Sequence, residues 1–206
     1  MSLCDEFELS DAQKALWRAQ SLDPFGTAYR VPLTLALRGP LDREHLEKSL
    51  IALVQRHEAL RTTFAMTADG PVQCVHATAK PDIEQAELPG PWSLSSFITD
   101  QLARPLDPAR VTLRFVIARC ATDHHLLYLD LHHLICDGAS VAILASDLQA
   151  LYLGEGLPEV EYQYADWSEW KATIPDDPEA LAFWRARFAT LHPPVPLFDN
   201  ETGDAT

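Results

Sequence analysis

The 206 residues contain no run of eighteen apolar residues, so no segment is expected to cross a membrane as a helix. Basic residues are scarce: sixteen Lys and Arg stand against thirty Asp and Glu, a formal charge of −14. A nucleic-acid backbone or an anionic membrane would repel such a chain, which argues against either as the main partner. The charge is compatible with an acidic protein met through a local basic or apolar patch. Cysteine is sparse and unpatterned. Cys4, Cys74, Cys120 and Cys136 form no C-x-x-C pair, which points to a reducing compartment and away from a disulfide framework. With no signal-peptide pattern, a cytoplasmic location is expected. H-E-x-x-H and G-x-S-x-G are both absent, so neither a helix-borne zinc site nor a serine nucleophile elbow is expected.

What is present suits a soluble core-forming chain: 47% hydrophobic and 22% charged residues, enough for about one domain. Ser10 followed by Gln13 is a capping box opening a helix to about Ser21. Tyr29 to Gly39 alternates as a half-buried strand. Leu46, Leu50, Leu53 and Val54 mark a helix between Asp42 and Ala59. Strands are expected near Leu60–Met66 and Val72–His76, turning at Asp69-Gly70. The polar, Pro-containing stretch Lys80–Pro91 is expected as a loop, and a helix returns from Trp92 to Ala103. Val111–Arg119 and His125–His133 are a further strand pair. Ser140 is placed to cap a helix to Leu153, and Asp177-Pro178 begins a last helix with the stripe Leu181, Trp184, Phe188 and Leu191. Tyr162 to Trp170 reads as a loop whose aromatics pack on a sheet edge.

The segment Leu129-Asp130-Leu131-His132-His133-Leu134-Ile135-Cys136-Asp137-Gly138 carries the chemistry. Strand alternation sends His132 and His133 to opposite faces, so they do not share one ion and no metal is expected there. His133 follows three leucines on one face. It is either a core histidine satisfied by backbone or an imidazole in a dry tunnel suited to moving a proton. Asp137 and Gly138 form a turn before a helix start whose N–H groups could meet an oxyanion. Asp137 is either a catalytic carboxylate or a turn residue that caps or pairs with a cation. Cys136 as nucleophile is disfavoured, since nothing marks its thiol as activated.

His132-His133-Leu134-Ile135-Cys136-Asp137-Gly138 matches H-H-x-x-x-D-G, and three further stretches follow one family's order. Ser10 to Trp17 resembles S-x-A-Q-x-x-L-W, Arg56 to Phe64 resembles R-H-E-x-L-R-T-x-F, and Tyr162 to Trp170 resembles Y-Q-Y-A-D-Y-A-x-W with Trp167 and Ser168 as departures. Together these resemble the condensation domains of nonribosomal peptide synthetases and their chloramphenicol-acetyltransferase-like relatives. The resemblance implies a two-layer α/β sandwich with a mostly antiparallel, mixed sheet and helices packed on one face. It covers only an N-terminal lobe, residues 1–192. Residues 193–206 are then a linker toward a missing C-terminal lobe that completes a tunnel.

By this resemblance the reaction is amide bond formation between a donor acyl thioester and an acceptor aminoacyl thioester. Both are tethered by phosphopantetheine on peptidyl carrier proteins, with no cofactor bound by the lobe itself and an adenylation domain downstream. His133 is then the base or amine-positioning group, and His132, Asp137 and Gly138 complete the motif. Arg61 supports the site by pairing with Asp137. Gly138 serves either close substrate approach or a backbone angle that a Cβ would oppose. The isolated half is expected to be inactive. The alternatives are a non-catalytic condensation-like docking module and a free-standing oligomeric acyltransferase.

Overall fold

Alternation along Arg30–Arg38 builds an edge strand whose Leu33, Leu35 and Leu37 are half-buried. The computed structural model describes residues 4–24, 26–88 and 93–190. In order, its elements are β1 (Cys4–Glu8), α1 (Asp11–Leu22), β2 (Arg30–Arg38) and α2 (Arg43–Arg56). A 3₁₀ turn, Glu58–Arg61, precedes β3 (Thr62–Thr67), β4 (Gly70–His76) and β5 (Ile83–Glu87). There follow α3 (Ser93–Ala103), β6 (Leu113–Ala121), β7 (His124–His132), α4 (Gly138–Leu153), α5 (Tyr164–Ala172) and α6 (Pro178–Arg187). The chain forms two units, Met1–Ala172 and Thr173–Thr206. The expected linker 193–206, Trp92 and Leu191 lie outside the described residues.

The first unit holds two sheets, ordered β1-β4-β3 and β2-β7-β6-β5. Every pairing is antiparallel except β5 with β6, which is parallel. The mixed α/β sandwich is as expected, but helices cover both faces of the four-stranded sheet rather than the one face expected, because β6 and β7 are apolar on both sides. On one face Leu127, Leu129 and Leu131 of β7 join Leu50, Leu53 and Val54 of α2 and Leu144 and Leu148 of α4. On the other, Tyr128 and Leu126 meet Phe97 of α3, the rings of Phe97 and Tyr128 lying edge to face at 5.7 Å. Strands buried on both faces read as continuous apolar runs, which is why β7 is buried from His125 to His132.

Four further differences from the sequence reading have physical causes. β1 forms where no element was expected, because its five residues pair with β4 rather than with a local neighbour. β5 forms within the expected loop, held by parallel pairing to β6. The helix ending near Ala59 stops at Arg56 and tightens into the 3₁₀ turn. Tyr162–Trp170 is mostly helix, and Ala165 and Ser168 are its buried residues, whereas Tyr162, Trp167 and Trp170 stay exposed. Its small side chains allow close approach to β1, so packing does not run through the aromatics. In the second unit, α6 is capped by Asp177 with Pro178 at the first turn, and the rings of Trp184 and Phe188 stack at 5.6 Å.

A buried ion cluster binds α3 to the sheet. Arg30 pairs with Asp130, and their side chains are 3% and 0% exposed. Its guanidinium also donates to the carbonyls of Gln101, Leu102 and Arg104 at the C-terminus of α3. A cation there completes otherwise open carbonyls and meets the negative end of the helix dipole.

Candidate active site

Strand β7 delivers two histidines to one place and then divides them. His132 is 1% exposed, while His133, one residue past the strand, is exposed. Both backbones are fixed: the His132 N–H donates to Thr112 O and the His133 N–H to Tyr29 O, each at 2.8 Å. Thr112 Oγ1 in turn donates to Thr62 O at 2.8 Å, tying the end of β7 to the first sheet.

The His132 ring has one protonation state compatible with its partners. Nδ1 accepts the Leu134 N–H at 3.1 Å, so the proton sits on Nε2 and donates to Gln20 Oε1 at 3.3 Å. Burial, with His133 and Arg30 adding repulsion, pushes the imidazolium pKa down to about 4. His132 is a neutral structural imidazole that shapes the turn.

His133 faces a cleft of about 330 Å³ lined by Ala12, Gln13, Leu16, Cys136, Ser140 and Tyr164 among others. The leucine face of β7 ends before it, so the dry setting expected for His133 is absent from this chain alone. Cys136 is buried, and burial followed by the nearby Asp137 charge raises its thiol to about 12. At neutral pH it is protonated and a poor nucleophile.

Asp137 is the N-cap of α4, one turn earlier than the expected Ser140. Its Oδ1 accepts Ser140 N–H at 2.9 Å and Ser140 Oγ–H at 2.7 Å, and the Ser140 hydroxyl also takes the Asp137 N–H at 3.2 Å. These bonds from Ser140 hold the carboxyl below its ordinary value. Asp137 therefore occupies amides that an oxyanion at this helix start would need. The expected Arg61–Asp137 pair does not form. Arg61 donates to His76 O and to Glu58 Oε1, the latter at 3.1 Å, because it ends the 3₁₀ turn facing β4. Gly138 has no left-handed backbone angle, so no backbone strain calls for glycine there. A Cβ there would meet nothing within 4 Å, and the residue borders open space.

The other motif stretches converge on the turn in ways that local patterns do not reveal. Gln13, buried on α1, donates through Nε2 to Leu134 O at 3.2 Å and to Gln73 Oε1 at 3.3 Å. Its Oε1 closes the capping box at Ser10 N, 3.0 Å away, and the Ser10 hydroxyl meets Tyr164 OH at 2.7 Å. Arg56 and His57 each reach Asp147 of α4 at 2.8 Å, fixing that helix against α2. Burial raises the Asp147 carboxyl, but these two bonds outweigh it and leave the group below its usual value. Gln163 joins the same corner, donating to Arg56 O at 3.1 Å and accepting the Glu58 N–H at 3.1 Å. Gln20 and Asp147 were not singled out from the sequence and carry no motif signal, whereas Gln13 stood in the capping box and the first motif and Gln163 in the Tyr162–Trp170 motif, neither with a role at the turn.

The family model for the condensation domain matches residues 4–204. Surfactin synthase subunit 1 of Bacillus subtilis (strain 168) is 31% identical over 199 residues, which is 95% of this chain and 6% of that protein. Tyrocidine synthase 2 of Brevibacillus parabrevis is 34% identical over 187 residues, 89% of this chain and 5% of that protein. Among solved structures, the first condensation domain of the calcium-dependent antibiotic synthetase, in complex with a substrate analogue, superposes with a TM-score of 0.76 at 23% identity. That match covers 91% of this chain and 49% of the other. The X-domain bound to OxyB from teicoplanin biosynthesis superposes at 0.83 with 23% identity, covering 93% and 45%. The chain thus spans a small part of the curated synthetases it matches and about half of the solved chains. It belongs to the condensation domain family.

Proposed function

We propose that this chain is the N-terminal lobe of a nonribosomal peptide synthetase condensation domain, and that His133 positions or deprotonates the attacking amine during amide bond formation. The observation that carries the reading is the division between the two histidines. His132 is buried and neutral, whereas His133 faces an open cleft with its backbone fixed on a strand end. An α-amine titrates near about 8 and an ordinary imidazole near about 6.5, so an imidazole accepts the proton as attack proceeds without being mostly charged beforehand. The amine nitrogen bonds to the thioester carbonyl, the thiolate leaves with its carrier arm, and the amine proton passes to His133. In this reading a C-terminal lobe closes the cleft and supplies the missing dry wall. Donor and acceptor arrive on phosphopantetheine arms of carrier proteins, and an adenylation domain follows.

Asp137 and Gly138 serve as the capped turn and the open floor beside the imidazole, Asp137 through Ser140 rather than through Arg61. The test is His133→Ala in the two-lobe protein, assayed with carrier-loaded donor and acceptor. A loss of at least about 10²-fold in condensation is expected, the scale of one proton-transfer group, with the fold retained. Undiminished turnover would refute the role. Carrier binding without turnover in the unmutated two-lobe protein would favour the docking-module reading.

A further inference from the structure

Strand register, not sequence spacing, brings together the one group of soft donors in the described part of the chain. Glu6 of β1 stands directly opposite Cys74 of β4, and Cys4, two residues earlier on the same face, stands opposite His76. The sulfurs of Cys4 and Cys74 and a carboxylate oxygen of Glu6 all lie within 4.8 Å of one another. The neighbouring β4 residue Gln73 reaches Gln13 beside the active-site turn, so by alternation this group lies on the opposite face of the sheet.

We propose that Cys4, Cys74 and Glu6 form a binding site for a thiophilic divalent cation of the zinc class, with water as fourth ligand. Two thiolates and one carboxylate form a donor set suited to Zn²⁺, with metal–sulfur bonds near about 2.3 Å and metal–oxygen bonds near about 2.0 Å. Around a tetrahedral ion those lengths put two sulfurs roughly 3.7 Å apart. The observed spread therefore closes by side-chain movement of about an ångström. On binding, two thiol protons pass to the buffer, two metal–sulfur bonds form, and no redox change occurs. Because both thiols must lose their protons to bind, occupancy rises with pH.

The ion would clamp β1 onto β4. That strand is worth holding, because Glu8 O accepts both Gln73 Nε2 at 2.9 Å and Ser168 Oγ at 3.2 Å, anchoring α5. The sequence carries no C-x-x-C because the ligands are supplied by two strands seventy residues apart in the chain.

The test is titration of the reduced, metal-free chain with Co²⁺ under anaerobic conditions. Expected are a sulfur-to-cobalt charge-transfer band and tetrahedral d–d bands, saturating at one ion per chain and bleached by Zn²⁺. Cys4→Ser and Cys74→Ser should each abolish the charge-transfer band, and Glu6→Gln should weaken cobalt binding at least tenfold. Cys120→Ser and Cys136→Ser should leave it unchanged. Zn²⁺ at a hundredfold excess over its Kd should raise Tm by roughly 5–10 °C in the wild type but not in Cys4→Ser. Circular dichroism confirms folding, and Cys4 and Glu6, being less buried than Cys74, supply variants that do not disturb the core. Absence of the band, or its survival in Cys4→Ser, would overturn the proposal. So would loss of both thiols to a disulfide while metal leaves Tm unmoved.

Discussion

Acidification should test the buried imidazole of His132 directly. Unfolded, the ring takes a proton near 6.5; folded, it resists to about 4. Between these values the unfolded state binds more protons than the native one, so stability is full above pH 6.5 and is lost as pH falls toward 4. Each unit is worth about 1.4 kcal/mol, so the whole window removes about 3 kcal/mol, a large share of an ordinary domain's stability. The structure gives the cause: a protonated Nδ1 would aim its hydrogen at the Leu134 N–H that it now accepts, in a buried place. The perturbation to use is His132→Asn, whose amide oxygen can accept the same N–H but does not titrate. Urea unfolding of both proteins, followed by tryptophan fluorescence from pH 7.5 to 4, gives the stability gap at each pH. Carboxylates such as Asp137 and Asp147, also held below their ordinary values, destabilise both proteins on acidification and cancel in the difference. The gap should be constant above pH 6.5 and then move in favour of the variant by about 1.4 kcal/mol per unit. A gap independent of pH throughout would show that His132 is neither neutral nor locked.

Asp137→Ala should lower stability by about 1 kcal/mol in urea unfolding, and Asp137→Asn by less, since asparagine also caps; equal stability of all three would contradict the cap. Arg61→Ala should not change the cost of Asp137→Ala, and a coupling above about 0.5 kcal/mol in the double-mutant cycle would restore the discarded pair. Arg30→Met or Asp130→Leu alone should each cost about 3–5 kcal/mol by stranding a buried charge. The double variant should cost well below their sum, and strict additivity would refute the coupling.

Elements defined by local pattern were legible in the sequence: the Ser10 capping box, the β2 alternation and the Asp69-Gly70 hairpin. β1 and β5 were not, because five-residue strands are stabilised by partners distant in the chain and carry little periodicity of their own. Parity placed His132 and His133 on opposite sides, as they are, but the leucine face pointed to His133 as the dry ring, and it is His132 that is buried. That depended on Gln20 reaching across from α1. The Arg61 pairing failed for a related reason: resemblance carried over a partner, while the 3₁₀ turn that ends at Arg61 aims its guanidinium at β4. α5 was missed because its buried face is made of Ala165 and Ser168, which hydrophobicity patterns weigh lightly.

The unequal histidine pair also guards the strand against mispairing. A slip of β7 by one residue that carried His133 to the place beside Gln20 would push His132 into the fully buried place of Leu131 and turn Asp130 away from Arg30. The leucines on either side would tolerate the shift far better, since β7 is apolar on both faces. Two polar residues in an otherwise permissive strand thus act as a key that fits one alignment only. The chemistry of the exposed ring and the proofreading of the fold are written in the same few letters.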